Sequence, residues 1–146
     1  MTRINCIPVS KLIDQHLRAE YREMLRLPNA LKKSKSTGKP LAVPMFYKMS
    51  AGHMKFFYDK GEYLRKRHDE LKKEMNRRGM KTEFSLNLGA FHHYGMMGDW
   101  TPGADAMLVN CERLIERINE MDENPRYNRQ PISKEQAISM IKEYVK

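Results

Sequence analysis

Long hydrophobic runs are missing from this chain of 146 residues. No stretch reaches the ~20 consecutive apolar residues that a membrane-spanning helix needs, so no membrane partner is expected. The opening Met-Thr-Arg-Ile-Asn likewise lacks the apolar core of a secretory signal. Cysteine is scarce: Cys6 and Cys111 are the two present. They have neither CxxC spacing nor a histidine partner pattern, so neither a metal site nor a disulfide framework is expected. Both read as small buried residues of a reducing compartment. Internal repeats and low-complexity tracts are absent too. Negative charge is in the minority, with 18 acidic residues against 27 basic ones and a net charge of +9. Such an excess favours a polyanionic partner, usually nucleic acid. A merely solvated basic surface is the alternative. The expectation is a soluble, intracellular protein without a cofactor.

The length fits one domain with one modest core. Four segments read as helices. In residues 12–27, Ile13, Leu17, Tyr21 and Met24 recur every three or four positions and make one apolar face. Gln15, Arg18, Arg22 and Arg26 lie on the other side. Pro28 ends or kinks this helix, and residues 32–44, with Ser, Gly, Lys and Pro, read as a basic loop. A second helix spans residues 59–78, with Leu64, Leu71 and Met75 as its stripe and Gly79 at its C-cap. Glu62–Lys66, Asp69–Lys73 and Glu74–Arg78 are i,i+4 pairs on its surface. Thr101-Pro102 opens a third helix. Its stripe is Ala104, Met107, Leu108, Cys111, Leu114, Ile115 and Ile118. Residues 122–131 read as a loop. Ser133 and Gln136 form a capping box before a last helix carrying Ile138, Ile141 and Val145. Residues 80–100 show neither period, with Phe84, Phe91, Tyr94 and Trp100 packing into or over the core. The fold expected is all-α: one compact domain over residues 1–146. It has three main helices, long irregular connections and an extra C-terminal helix in residues 132–146.

Two local features suggest chemistry. Arg3, Gln15, Arg18, Arg22 and Arg26 are suited to phosphates, yet Glu23 sits among the arginines. Phosphate repels an acid on such a face, so Glu23 is either an ion-pair residue or a functional one. Thr2 is a small penultimate residue that permits removal of the initiator methionine. The exposed α-amine would have a pKa of about 7.7–8.0, far below the ~10.4 of a lysine, and would be a ready carbonyl nucleophile.

Three blocks resemble one family. The first is Met1-Thr2-Arg3-Ile4-Asn5 with Asp14-Gln15-His16-Leu17 and Ala19-Glu20-Tyr21-Arg22-Glu23. The second is Gly52-His53, Phe56-Phe57-Tyr58-Asp59-Lys60 and Leu64-Arg65-Lys66-Arg67. The third is Gly98-Asp99-Trp100-Thr101-Pro102 with Arg113 and Arg117. In this order they resemble the bacteriophage T4 endonuclease V family of pyrimidine dimer DNA glycosylases. The resemblance implies an all-helical bifunctional DNA glycosylase/AP lyase acting on double-stranded DNA with damaged pyrimidines, chiefly cyclobutane dimers. It makes Thr2 and Glu23 the catalytic residues. The Thr2 amine attacks the sugar C1′ and forms a Schiff base, and Glu23 manages protons through the β-elimination that cuts the strand. It assigns Arg3, Gln15, His16, Tyr21, Arg22, Arg26, Arg113 and Arg117 to DNA contact or to ordering the site. His53 reads as structural support, and Tyr21 could equally be a core residue. The pair His92-His93 reads as a surface loop.

The chain departs from the family pattern at Pro28, in residues 29–49, and at the C-terminus, which lacks an aromatic-rich tail. Pro125-Arg126-Tyr127 is the closest remnant, and residues 133–146 look like an addition. Three functions therefore stay open: excision of dimers, the same chemistry on other damaged pyrimidines or abasic sites, and non-catalytic DNA binding. A monomer is expected.

Overall fold

The computed structural model describes residues 4–144 of the chain. It is mostly helical, as the periodicity predicts. The helices are α1 (Asp14–Met24), α2 (Leu27–Ser36), α3 (His53–Phe56), α4 (Gly61–Arg77), α5 (Gly89–His93), α6 (Ala104–Glu120) and α7 (Lys134–Tyr144). A short 3-10 turn, Val9–Lys11, precedes α1, and two short strands, β1 (Arg126–Tyr127) and β2 (Gln130–Pro131), form an antiparallel hairpin. α1 packs on α4, α2 on α5, and α6 on α7. Their shared core runs from Ile4 to Ile141, with Phe56, Phe57, Phe91, Leu17 and Leu64 fully buried. Cys6 and Cys111 are buried and free. None of the described helices is long and apolar enough to cross a membrane.

The stretch after Pro28 corrects the expectation of a loop from residue 32. A proline ring clashes with the carbonyl four residues back, and here that residue is Met24, the last of α1. The chain therefore restarts rather than stopping. Pro28 falls in the first turn of α2, where a missing N–H costs nothing. Leu27 and Leu31, one turn apart, are fully buried and hold the new helix down. The breakers act only at Thr37 and Gly38, whose φ is +72°.

The other helices keep their expected places with shifted ends. α4 starts at Gly61 rather than Asp59, and it stops as expected at Gly79, with φ +80°. The Gly79 N–H donates to Asn76 O (3.0 Å) and the Met80 N–H to Met75 O (2.8 Å), the paired bonds of a left-handed C-terminal cap. α6 begins at Ala104, capped by Gly103, instead of at Thr101-Pro102. Leu108, placed on its apolar stripe, is exposed, and Asn110 is buried beside Cys111, Leu114 and Ile118. Of the surface pairs on α4, Asp69–Lys73 forms at 3.0 Å. Glu62 pairs instead with Arg65, and Lys66 reaches Asp99 at 2.6 Å. Glu74–Arg78 forms at 2.8 Å but is buried.

Residues 122–131 hold the hairpin where a plain loop is expected. Asn128 (φ 52°) and Arg129 (φ 69°) make its two-residue turn. The sequence signal was weak because the usual Asn-Gly reads Asn-Arg. Tertiary contacts supply what the turn lacks. The Asn128 and Arg129 N–H groups donate to Asp14 at 3.1 and 2.7 Å. Arg78 Nη1 donates to the same carboxylate at 2.9 Å, and its guanidinium covers the Tyr127 ring at 4.1 Å. The Ser133–Gln136 capping box is present: the Ser133 N–H donates to Gln136 Oε1 (2.9 Å) and the Gln136 N–H to Ser133 Oγ (3.0 Å).

Candidate DNA-processing site

A buried hydrogen-bond network surrounds the segment Ile4–Ile7, which follows Thr2 in the chain. The Ile4 N–H donates to His53 Nε2 at 2.9 Å, and the Tyr47 hydroxyl donates to Ile4 O at 2.8 Å. His53 Nδ1 lies 2.7 Å from Lys48 O. A ring that accepts at Nε2 must be neutral and donate from Nδ1. His53 thus bridges Ile4 to the loop before α3, the supporting role expected of it.

Next along the chain, Asn5 is fully buried. Its Nδ2 donates to Glu20 Oε1 (2.9 Å), its Oδ1 accepts from Asn110 Nδ2 (2.7 Å), and its carbonyl accepts from Tyr63 Oη (3.0 Å). Asn110 Oδ1 then accepts the N–H groups of Cys6 (2.8 Å) and Ile7 (3.1 Å). Arg67 holds Glu20 through two bonds, Nε–Oε2 at 2.6 Å and Nη2–Oε1 at 2.9 Å, with both side chains buried. A buried carboxylate is tolerated only when paired and hydrogen-bonded in this way. Burial pushes the Cys6 thiol up to about 12, so it stays protonated and inert. None of Asn5, Glu20, Arg67 and Asn110 was singled out from the sequence for a function of its own. Asn5, Glu20 and Arg67 lie within the family-like motifs, but nothing in helical periodicity pairs an acid on one helix with an arginine on another.

The same helix, α1, carries the candidate acid. Glu23 lies one turn beyond Glu20 with its side chain only 6% exposed, and Arg26 Nη1 stands 3.7 Å from its Oε2. Arg18, Arg22 and Arg26 are exposed. Tyr21 is buried and stacks on His68, with ring centroids 5.1 Å apart. Its hydroxyl accepts the Phe84 N–H at 2.8 Å and donates to Phe84 O, so it clamps the loop after α4.

An open cleft of about 660 Å³ lies between α1 and the end of α6, and brings Gln15, His16 and Arg117 together with Ala19, Glu120 and Asp122. His16 is buried, and burial pushes its pKa down to about 4. Gln15 is tied to the segment before and into the hairpin, with Nε2 donating to Asn124 O (3.1 Å) and Oε1 accepting the Arg126 N–H (3.0 Å). Arg117 Nη1 pairs with Glu120 at 3.0 Å. Arg113 lies one turn earlier, its Nη2 3.4 Å from Met49 O. Arg22 faces a different groove, shared with Arg18 and Tyr21. Thr2 and Arg3 lie outside the described residues. His92 and His93 are exposed at the end of the short helix α5 rather than in a loop.

A clamped N-terminal segment, a buried carboxylate and a cationic groove along the same helix, lined by Arg18 and Arg22, describe a helical protein suited to a polyanion. A family model described as pyrimidine dimer DNA glycosylase matches residues 1–88, and the chain belongs to that family. It is a DNA-repair glycosylase, an enzyme whose substrate is DNA.

Proposed function

We propose that the protein excises cyclobutane pyrimidine dimers and then cuts the strand, with the α-amine of Thr2 as nucleophile and Glu23 as proton-transfer group. The observation that carries this reading is the clamp on both backbone groups of Ile4, by His53 and Tyr47. Ile4 is two residues from Thr2, and two extended residues reach at most ~7 Å. Asn5 is fixed to Glu20, and Glu23 follows Glu20 by one helical turn, where side chains are near neighbours. Chain connectivity from Ile4 and Asn5 supports a reading in which the amine works beside the buried acid.

In the proposed reaction the amine nitrogen forms a bond to C1′. The glycosidic bond breaks and its electron pair leaves with the pyrimidine, which takes up a proton. The C1′–O4′ bond then opens, giving a protonated imine. Loss of a C2′ proton expels the 3′ phosphate by β-elimination, and water releases the enzyme. Glu23 accepts the proton that the amine loses on attack, delivers it to O4′ for ring opening and then accepts the one from C2′, while the pyrimidine takes its proton from water. Arg22 and Arg26, exposed on the same helix, bind the backbone phosphates, and Arg3, Gln15, His16, Tyr21, Arg113 and Arg117 contact DNA or order the site. The enzyme acts as an intracellular monomer.

Borohydride trapping tests the mechanism. A covalent protein–DNA complex should form on dimer-containing duplex, with the adduct on the peptide beginning at Thr2. Retaining Met1 or methylating the amine should prevent it without unfolding the protein. An adduct mapped to a lysine would refute the assignment. A second reading, with abasic sites or other damaged pyrimidines as substrate, draws support from Tyr127. This remnant of an aromatic tail is held down, its hydroxyl donating to Ser10 O at 2.7 Å and its ring covered by Arg78.

A further inference from the structure

Beside α1 runs a second open groove of about 380 Å³. Arg18 and Arg22 line it from α1, Lys81 from the loop after α4, and Arg129 from the tip of the hairpin. None of these four cations forms an ion pair with a described residue. Glu83 is the acid on this surface, and the Phe84 side chain on its rim is 61% exposed. Tyr21 holds both backbone groups of Phe84, so the backbone that carries the exposed ring is anchored at the rim.

Arg129 is unusual in its backbone. Its φ of 69° belongs to the left-handed region, where glycine is at ease and a Cβ is not. The second position of such a hairpin turn is normally Gly for this reason. Asp14 Oδ2 binds the Arg129 N–H at 2.7 Å and compensates for the conformation. Across the groove Gly79 leaves room for the side chain: a Cβ there would stand 3.1 Å from Arg129 Nη1. A backbone outlier is a reason to look for a function at the residue that holds it.

We propose that Arg129 is a DNA-phosphate ligand that completes this groove, supplied from outside the residues 1–88 that the family model matches. The proposal rests on the DNA substrate that family membership gives. Its planar fork of donors suits a phosphate oxygen pair better than a lysine does. Arg18 and Arg22 are one turn apart and extend the cationic track, and the Phe84 ring offers an apolar face on which a sugar or base can lie.

Equilibrium binding of undamaged duplex over a range of salt concentrations, with thermal melting of each variant, tests the proposal. Arg129→Gly suits the turn better, so it should melt at the parental temperature or above. It should nonetheless lower the magnitude of the log–log salt slope by about 0.9, the loss of one phosphate contact. Arg129→Lys keeps the charge and should keep most of the slope. A parental slope and affinity in Arg129→Gly, with steep salt dependence retained, would overturn the role of Arg129 alone. If the parental protein bound without salt dependence, the failure would lie with DNA-phosphate binding as a whole, and this proposal would fall with it.

Discussion

Asn5 and Asn110 stand 105 positions apart in the chain, yet Asn110 Nδ2 donates to Asn5 Oδ1 at 2.7 Å in the fully buried core. Asn110 also accepts the N–H groups of Cys6 and Ile7. α6, which lies beyond the family-matched residues 1–88, therefore fixes the segment leading to Thr2. We predict that Asn110→Ala destabilises the protein by about 2–4 kcal/mol, since several buried polar groups lose their partner at once. Urea unfolding measures that cost. Borohydride trapping on the folded fraction should also decline, because the N-terminal segment loses an anchor. Undiminished trapping would mean that the Asn5 anchor has no part in placing the amine.

The pair Glu20–Arg67 makes a second prediction. Arg67→Met removes the cation and leaves a buried carboxylate with Asn5 as its remaining partner among the described residues. Breaking a buried pair from one side costs about 3–5 kcal/mol. Neutralising Glu20 as well, in Glu20→Gln/Arg67→Met, should recover part of that loss. Denaturant midpoints of the two variants decide it, and a double variant weaker than the single one would contradict the argument.

Stability should depend on pH through the buried histidines. Burial holds both His16 and His68 at about 4, with Lys72 contributing at His68, whereas an unfolded histidine titrates near about 6.5. Above that value neither state is protonated and the histidines contribute no pH dependence. Between about 6.5 and 4 the unfolded chain takes up protons that the folded one refuses, so stability falls as pH falls. For His16 the slope approaches about 1.4 kcal/mol per pH unit. His16→Asn should flatten the loss between pH 6.5 and 5, read as denaturant midpoints across that range. An unchanged profile would show that His16 titrates normally in the folded protein.

Glu23→Gln conserves size and hydrogen-bonding capacity while removing charge and proton transfer. We predict loss of nearly all strand cleavage on dimer-containing duplex, with DNA affinity and melting temperature close to the parental values. Nicking at the parental rate would reduce Glu23 to the ion-pair partner of Arg26.

Arg26→Gln should weaken duplex binding without unfolding the protein, and should lower the magnitude of the salt slope by roughly one unit. Fluorescence anisotropy at several salt concentrations measures this. An unchanged slope would leave Arg26 with no phosphate.

The helices were legible because burial demands a repeating apolar face. Ile13 at the N-cap of α1 with Leu17, Tyr21 and Met24 inside it, and Leu64, Leu71 and Met75 in α4, are buried as their spacing predicts. The caps at Gly79 and at Ser133–Gln136 were equally plain, because they depend on residues within one turn. Pro28 misled because the same ring that ends one helix fits the first turn of the next, and only the burial of Leu27 and Leu31 decides between the two. The hairpin is not legible in the sequence because Arg129 takes a conformation that its residue type disfavours, and Asp14, far away in the chain, makes it tolerable.

By itself, then, the sequence determined the all-helical character, the positive surface and the family, since periodicity, net charge and motif are properties of residues close together in the chain. Tertiary structure alone decided which polar residues serve the fold. Glu20 and Glu23 are both buried acids on α1, one turn apart. Glu20 is held in a two-bond pair by Arg67 from α4. Among the described residues, Arg26 of the following turn pairs with Glu23 at 3.7 Å, its own side chain largely in solvent. The cost of burying a carboxylate depends on the groups brought to it in space, and those groups come from elements that the local sequence does not specify.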